Sequence, residues 1–196
     1  MLPLDPLPAI MARTVAAWLP AVDRARYVAF LDMMVHYTRR SGDRLRHAAA
    51  TATDPRLREF FAGLADEEQD HWRLAAADLA ALGAAPSAGL PAEVAAFEAF
   101  WWGIEAAEEQ AFLGALYVLE RVGGHLQEPV RAALGRLGLT KQQARFVLVH
   151  LEVDGDHGAR AEELVRALAG QGDPALVRGA REAMAHWLAI HRRALG

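Results

Sequence analysis

Cysteine is absent from the 196 residues of the chain, which excludes disulfide scaffolds, thiolate zinc sites, iron–sulfur clusters and cysteine nucleophiles. Any metal must therefore be held by histidine and carboxylate. An excess of basic charge is also missing. The 21 Lys and Arg against 25 Asp and Glu leave a net charge of −4 with His neutral. Because the two signs are interspersed, nucleic-acid binding and polybasic membrane contact lose their electrostatic support. No stretch approaches the roughly 18 uninterrupted apolar residues of a membrane span. The opening Met1-Leu2-Pro3-Leu4-Asp5-Pro6-Leu7-Pro8 has no basic segment leading into an apolar core, so no secretory signal is read and a cytoplasmic location is expected. Alternating β-branched runs are scarce as well, the best being the short Phe146-Val147-Leu148-Val149.

What is present is a 53% hydrophobic, 23% charged chain, enough to bury a core and suited to a single globular domain over 1–196. Alanine, leucine, arginine and glutamate dominate, which argues an all-α fold. Pro20 ends a short helix over Ile10–Leu19, and a long helix is expected from Ala21 to about Ala50, where Gly42 can bend it. Asp54-Pro55 opens the next, which Gly83 stops. The helix from Pro91 is expected to end at Gly123-Gly124, with Gly103 able to split it. Further helices are expected over Leu126–Leu137, from Thr140 to about Ala169, and from Asp173-Pro174 to Leu195. Seven helices joined by short connections make one bundle.

The informative residues are polar side chains set where these helices need apolar faces. Glu68 and His71 are spaced i, i+3 and share a face, as in the inward Glu-x-x-His pairs of carboxylate-bridged di-iron bundles, although the same spacing occurs on many solvated helices. His150, Asp154 and His157 recur at i, i+4 and i+7 among Phe146, Val147, Val149, Leu151 and Val153, so three ligand-type groups share one stripe. Gly155 and Gly158 each cost a helix roughly 1 kcal/mol relative to alanine, which suggests close approach of another backbone or a ligand. Glu120 closes a strongly apolar run and suits a bridging carboxylate, while an ion pair with Arg121 is its commoner use. Glu109, about three turns earlier, is a second-choice partner. Asp32 and His36 form an i, i+4 pair on the early helix, where they suit either metal ligation or a core histidine hydrogen-bonded to a carboxylate. His47, His125, His186 and His191 lack comparable companions and read as surface or packing residues.

At these residues the chain resembles the haem-oxygenase-like di-iron oxidases and oxygenases, a superfamily shared with haem oxygenases, the thiaminase-II group and pyrroloquinoline-quinone synthase. The resemblance rests on Glu67-Glu68-Gln69-Asp70-His71 followed by Asp78-Leu79-Ala80-Ala81-Leu82-Gly83, then Tyr117-Val118-Leu119-Glu120, then His150-x-x-x-Asp154-x-x-His157. It implies a seven-helix fold and two iron ions held by Glu68, His71, Glu120, His150, Asp154 and His157, with His36 and Asp32 as early-helix candidates. It also implies O₂ as co-substrate, a small amino-acid-, amine- or fatty-acid-derived substrate, an external electron donor and a homodimer. Neutral imidazole and carboxylate suit iron, and apolar walls keep water from the oxidant.

Rival readings stand beside this one. A haem oxygenase needs a proximal histidine on the first helix, where Ile10–Leu19 has none, although Gly123-Gly124 resembles the glycine-bearing helix of bacterial haem oxygenases. A cofactor-free oxidase of the quinone-synthase type would leave the inward acids without a use, and a non-catalytic helical interaction protein would turn them to solvent. Thiaminase-II-like chemistry needs a cysteine nucleophile, which the chain lacks.

Overall fold

The chain is all-α. A computed structural model describes residues 3–104, 108–168 and 173–196, except for the side chains of 153 and 154, and contains no strand among them. Nine α-helical segments occur among the described residues. They are α1 (Leu7–Ala16), α2 (Arg24–Thr38), α3 (Ser41–Thr51), α4 (Pro55–Glu68), α5 (His71–Ala81), α6 (Ala92–Gly103), α7 (Glu109–Leu137), α8 (Arg145–Leu168) and α9 (Pro174–Leu195).

Several boundaries follow from local chemistry. The Asp54 carboxylate accepts from Arg56 N–H and Pro55 occupies the first helical turn of α4. Asp173 caps α9 in the same way, accepting from the N–H groups of Ala175 and Leu176. Gly138, at φ 63°, closes α7 in the left-handed conformation. Thr140 begins a short 3₁₀ turn over Lys141–Gln143, and α8 starts only after it.

Other boundaries differ from the sequence expectation. The first helix begins at Leu7 with Pro8 in its first turn and stops at Ala16. The two expected long early helices are each broken, at 39–40 and at 69–70, which raises the count above seven. Gly123-Gly124 does not end α7, which runs on through Pro129. The apolar stripe explains this, because Val122 is buried just before the glycines and Leu126 and Ala133 remain buried beyond them. Burying one such aliphatic side chain contributes about 1.5–3 kcal/mol, against about 1 kcal/mol lost per helical glycine.

The 29-residue α7 is the axis of the bundle, packing on α1, α8 and α9, while α2 packs on α5 and α9, and α3 on α4. Tyr117 and Leu113 of α7 are fully buried, as are Phe61 and Phe97. Close contact between α7 and α9 depends on two glycines: a Cβ on Gly114 would meet the Leu176 backbone, and one on Gly179 would meet that of Ala111. Among the described residues no helix is long and apolar enough to cross a membrane.

Candidate metal centre

Three helix ends bring ligand-type side chains together. Glu68 is the last residue of α4 and His71 the first of α5, so the Glu-x-x-His pair straddles a break rather than one continuous helix. Gly42 of α3 presses on that break, since a Cβ there would lie 3.0 Å from Gln69 Cα. Arg46 Nη2 also donates to Gln69 Oε1 at 2.7 Å. Across from the break, His150 projects from the second turn of α8.

One ligand atom from each of Glu68, His71 and His150 fits within a mutual distance of 4.8 Å. Two donors on opposite sides of an ion bonded at about 2.1 Å are about 4.2 Å apart, so only a small contraction separates this cluster from coordination. His71 Nδ1 lies 2.8 Å from Glu68 Oε2. That approach is not aligned as a hydrogen bond, and the buried nitrogen has no hydrogen-bond partner. His150 Nδ1 lies 2.7 Å from the Phe146 carbonyl oxygen. A carbonyl only accepts, so Nδ1 carries the hydrogen and Nε2 keeps its lone pair, the arrangement that prepares an imidazole for a metal. The His71 and His150 rings stand 4.8 Å apart at 70°. A buried imidazole nitrogen in close but unaligned contact with a carboxylate, and a second imidazole with its lone pair set free, fit a ferrous ion.

The electrostatics agree with this assembly. Burial pushes the Glu68 carboxyl up, but His71, His150 and His157 outweigh it and hold it below the usual range. Burial draws His150 down, keeping the ring neutral. For His71 burial also acts downward, and the neighbouring Glu68 and Glu120 reverse it.

His157 and Glu120 lie alongside. His157, 3% exposed, has Nδ1 3.1 Å from Glu120 Oε2 and Nε2 2.6 Å from Glu67 Oε2. Carboxylates accept, so both ring nitrogens donate and the ring is an imidazolium; burial opposes this charge, but Glu120 and Glu67 raise its pKa to about 9. Burial pushes Glu120 upward, and the Glu68 charge adds to that effect. Gly158 permits the approach, since a Cβ there would lie 2.9 Å from the Glu120 carbonyl oxygen. Gly155 faces open space, so only one of the two glycines is required by a neighbouring backbone.

The remaining expected residues go elsewhere or lie outside the description. Asp32 accepts from Ser87 N–H at 2.8 Å and from Ser87 Oγ at 2.9 Å, and His36 Nε2 lies 3.0 Å from the same hydroxyl. The early-helix pair thus fastens the loop before α6 and does not join the cluster. The Asp154 side chain lies outside the described residues. Glu109 accepts from Thr53 N–H at 2.6 Å and Thr53 Oγ1 at 2.7 Å, tying down the turn before α4. Arg121 pairs with Glu162 rather than Glu120.

Glu68, Glu120 and His150 open on a cavity of about 210 Å³. Its walls are mainly apolar, with Phe30, Leu116, Leu126, Phe146 and Leu195 among them. Sequence reasoning missed three contributors. Glu67 was passed over for its neighbour Glu68. Arg44, 6% exposed, also lines the cavity, donating to Glu98 Oε1 at 2.6 Å, to the Tyr37 carbonyl at 3.2 Å and to Ser41 Oγ at 2.8 Å. Arg44 and Glu98 lie on different helices with no sequence spacing to link them. Asp78 is buried with one oxygen on Phe146 N–H at 2.8 Å and the other unpartnered; burial raises its pKa to about 6.

Comparison with known proteins follows the same line. No curated protein matches the chain. A crystal structure of a domain of unknown function with a haem-oxygenase-like fold, from Shewanella denitrificans, is similar with a TM-score of 0.83 at 18% identity, covering 97% of this chain and 88% of that one. Residues 28–188 match the family described as iron-containing redox enzymes. The chain belongs to that family and has the haem-oxygenase-like fold.

Proposed function

We propose that the protein is a non-haem, O₂-dependent oxidase or oxygenase that binds two iron ions and oxidises a small, largely aliphatic metabolite. The observation that carries this reading is the convergence of Glu68, His71 and His150 beside an apolar cavity, onto which Glu68 and His150 open. These three would hold the first ion. Glu120 and His157, with Asp154 from the family resemblance, would hold the second, after His157 gives up a proton and its contact with Glu67. Iron bound there supplies O₂ activation, which no side chain of the set provides alone.

The chain's own residues do the rest. Phe146 holds the His150 ring through its carbonyl oxygen and fixes which nitrogen is free. The carboxylates keep the site near neutral charge as the metals change oxidation state. Arg44 cannot serve as a free anion receptor, because Glu98 already neutralises it. The apolar walls exclude water and favour a hydrocarbon-bearing ligand, the fatty-acid-derived end of the expected substrate range. Electrons that the substrate does not give would come from an external donor.

The test is anaerobic ferrous loading of the metal-free chain followed by an oxygen pulse under stopped-flow absorbance. A transient visible chromophore that forms only in the loaded protein supports the reading. Oxygen consumption no faster than that of free ferrous iron, with no chromophore, contradicts it.

A further inference from the structure

His191 of α9 contributes nothing to the iron cluster, yet it lines the same cavity and is 5% exposed. Its ring stacks on Trp187 with centroids 3.6 Å apart and tilts against Phe30 at 5.5 Å. Two phenyl rings separate it from the iron site: Phe30 lies 6.4 Å from Phe146, whose ring is 4.2 Å from that of His150.

His191 Nδ1 lies 2.8 Å from the Trp187 carbonyl oxygen. That oxygen only accepts, so Nδ1 bears the hydrogen and Nε2 bears a lone pair. No described residue donates to Nε2. Unlike Asp78 Oδ1 and Trp101 Nε1, the nitrogen is not sealed in packing, and its ring forms part of the cavity wall. Burial lowers the ring's pKa to about 4, and the acceptor persists at neutral pH. An acceptor held by packing in a hydrocarbon wall is costly to desolvate unless a donor meets it.

We propose that the cavity takes an aliphatic ligand bearing a hydroxyl or N–H group that donates to His191 Nε2, making His191 a specificity-determining residue remote from the metal donors. The inference rests on the cavity being the substrate site of the proposed oxidase. It narrows the substrate class from hydrocarbon chains in general to chains with a second polar group, a donor, away from the iron.

The probe pair is n-octanol and heptyl methyl ether, isomers that differ in having or lacking a hydrogen-bond donor. Calorimetry on the metal-free full chain should show the alcohol binding roughly five- to tenfold tighter, the value of one neutral hydrogen bond. Imidazole nitrogen NMR should show the His191 Nε2 resonance moving toward its hydrogen-bonded position with the alcohol and staying in place with the ether. His191→Phe, which keeps the stacked ring, should bind the two isomers equally. His191→Leu, which is apolar throughout and offers no acceptor, should do the same and serves if the phenylalanine variant fails to fold. Equal affinities in the wild type, an unmoved Nε2 resonance at saturation, or no binding of either isomer would overturn the proposal. Ferrous titration of the same samples separates the two claims. Lost alcohol preference with normal iron binding removes only the His191 inference, and absent iron binding with the preference retained removes only the oxidase reading.

Discussion

Asp78 and His150 are coupled through the two backbone groups of one residue. The Phe146 N–H donates to Asp78 Oδ2 at 2.8 Å, and the Phe146 carbonyl accepts from His150 Nδ1 at 2.7 Å. A carboxylate on α5 therefore caps the start of α8 and, one turn later, that turn orients the imidazole proposed to hold iron. Asp78→Ala should weaken ferrous binding by about 10–100-fold, the usual cost of losing an outer-shell support, while helical content is kept. Asp78→Asn retains the acceptor oxygen and should bind within a few fold of the wild type. Equilibrium dialysis against ferrous iron checks both, and unchanged affinity in the alanine variant would uncouple Asp78 from the site.

The glycines of α8 should respond in opposite directions. A methyl at Gly158 would lie 2.9 Å from the Glu120 carbonyl oxygen and 3.0 Å from Arg121 Cγ, whereas one at Gly155 meets nothing within 4 Å. Gly158→Ala should cost about 1–3 kcal/mol through overpacking. Gly155→Ala should stabilise by up to about 1 kcal/mol through helix propensity. Urea titration followed by circular dichroism distinguishes them; a neutral Gly158→Ala would mean that α7 and α8 yield at this contact.

How far these features were legible in the sequence depends on whether their causes were local. Asp54-Pro55, Asp173-Pro174 and Gly138 mark helix ends because capping acts within one turn, and the structure places them there. Gly123-Gly124 misled because the burial of Val122 and Leu126 outweighs the glycine cost, and burial is a tertiary quantity. The break at 69–70 carries no proline or glycine of its own; Gly42, on another helix, packs against it. Glu68, His71 and His150 were picked out by spacing and the structure brings them together. Asp32 and His36 were seen as a pair, but their partner is Ser87, 55 and 51 residues away. His191 was read as surface or packing because nothing beside it in sequence is chemical, and its cavity wall is built from distant helices.

The buried pair of Arg44 and Glu98, with side chains 7% and 9% exposed, should be strongly coupled. Glu98→Ala leaves the guanidinium buried without its counter-charge and should cost about 3–5 kcal/mol. Changing both residues to apolar side chains should recover much of that loss. A double-mutant cycle by urea unfolding measures it, and additive single effects would contradict the coupling.

The pH dependence of stability should reveal His191. Its folded pKa of about 4 lies below the unfolded value of about 6.5, so between those limits the unfolded chain binds more protons and stability falls as pH is lowered. The loss should approach roughly 3 kcal/mol at the acid end of that window. Asp78 acts in the opposite sense, since its folded pKa of about 6 is raised and its ionisation disfavours folding as pH rises. The comparison of wild type with His191→Phe isolates the histidine. The difference in unfolding free energy between the two should change across pH 4–6.5, and parallel curves would contradict the burial of a neutral ring.

Ferrous stoichiometry of the wild type beside Glu68→Ala and His150→Ala, measured anaerobically with circular dichroism on the same samples, decides whether these side chains hold iron. The wild type should bind two equivalents, and both variants should lose bound iron while keeping their helical content. Iron loading in folded Glu68→Ala and His150→Ala that matches the wild type would contradict that role.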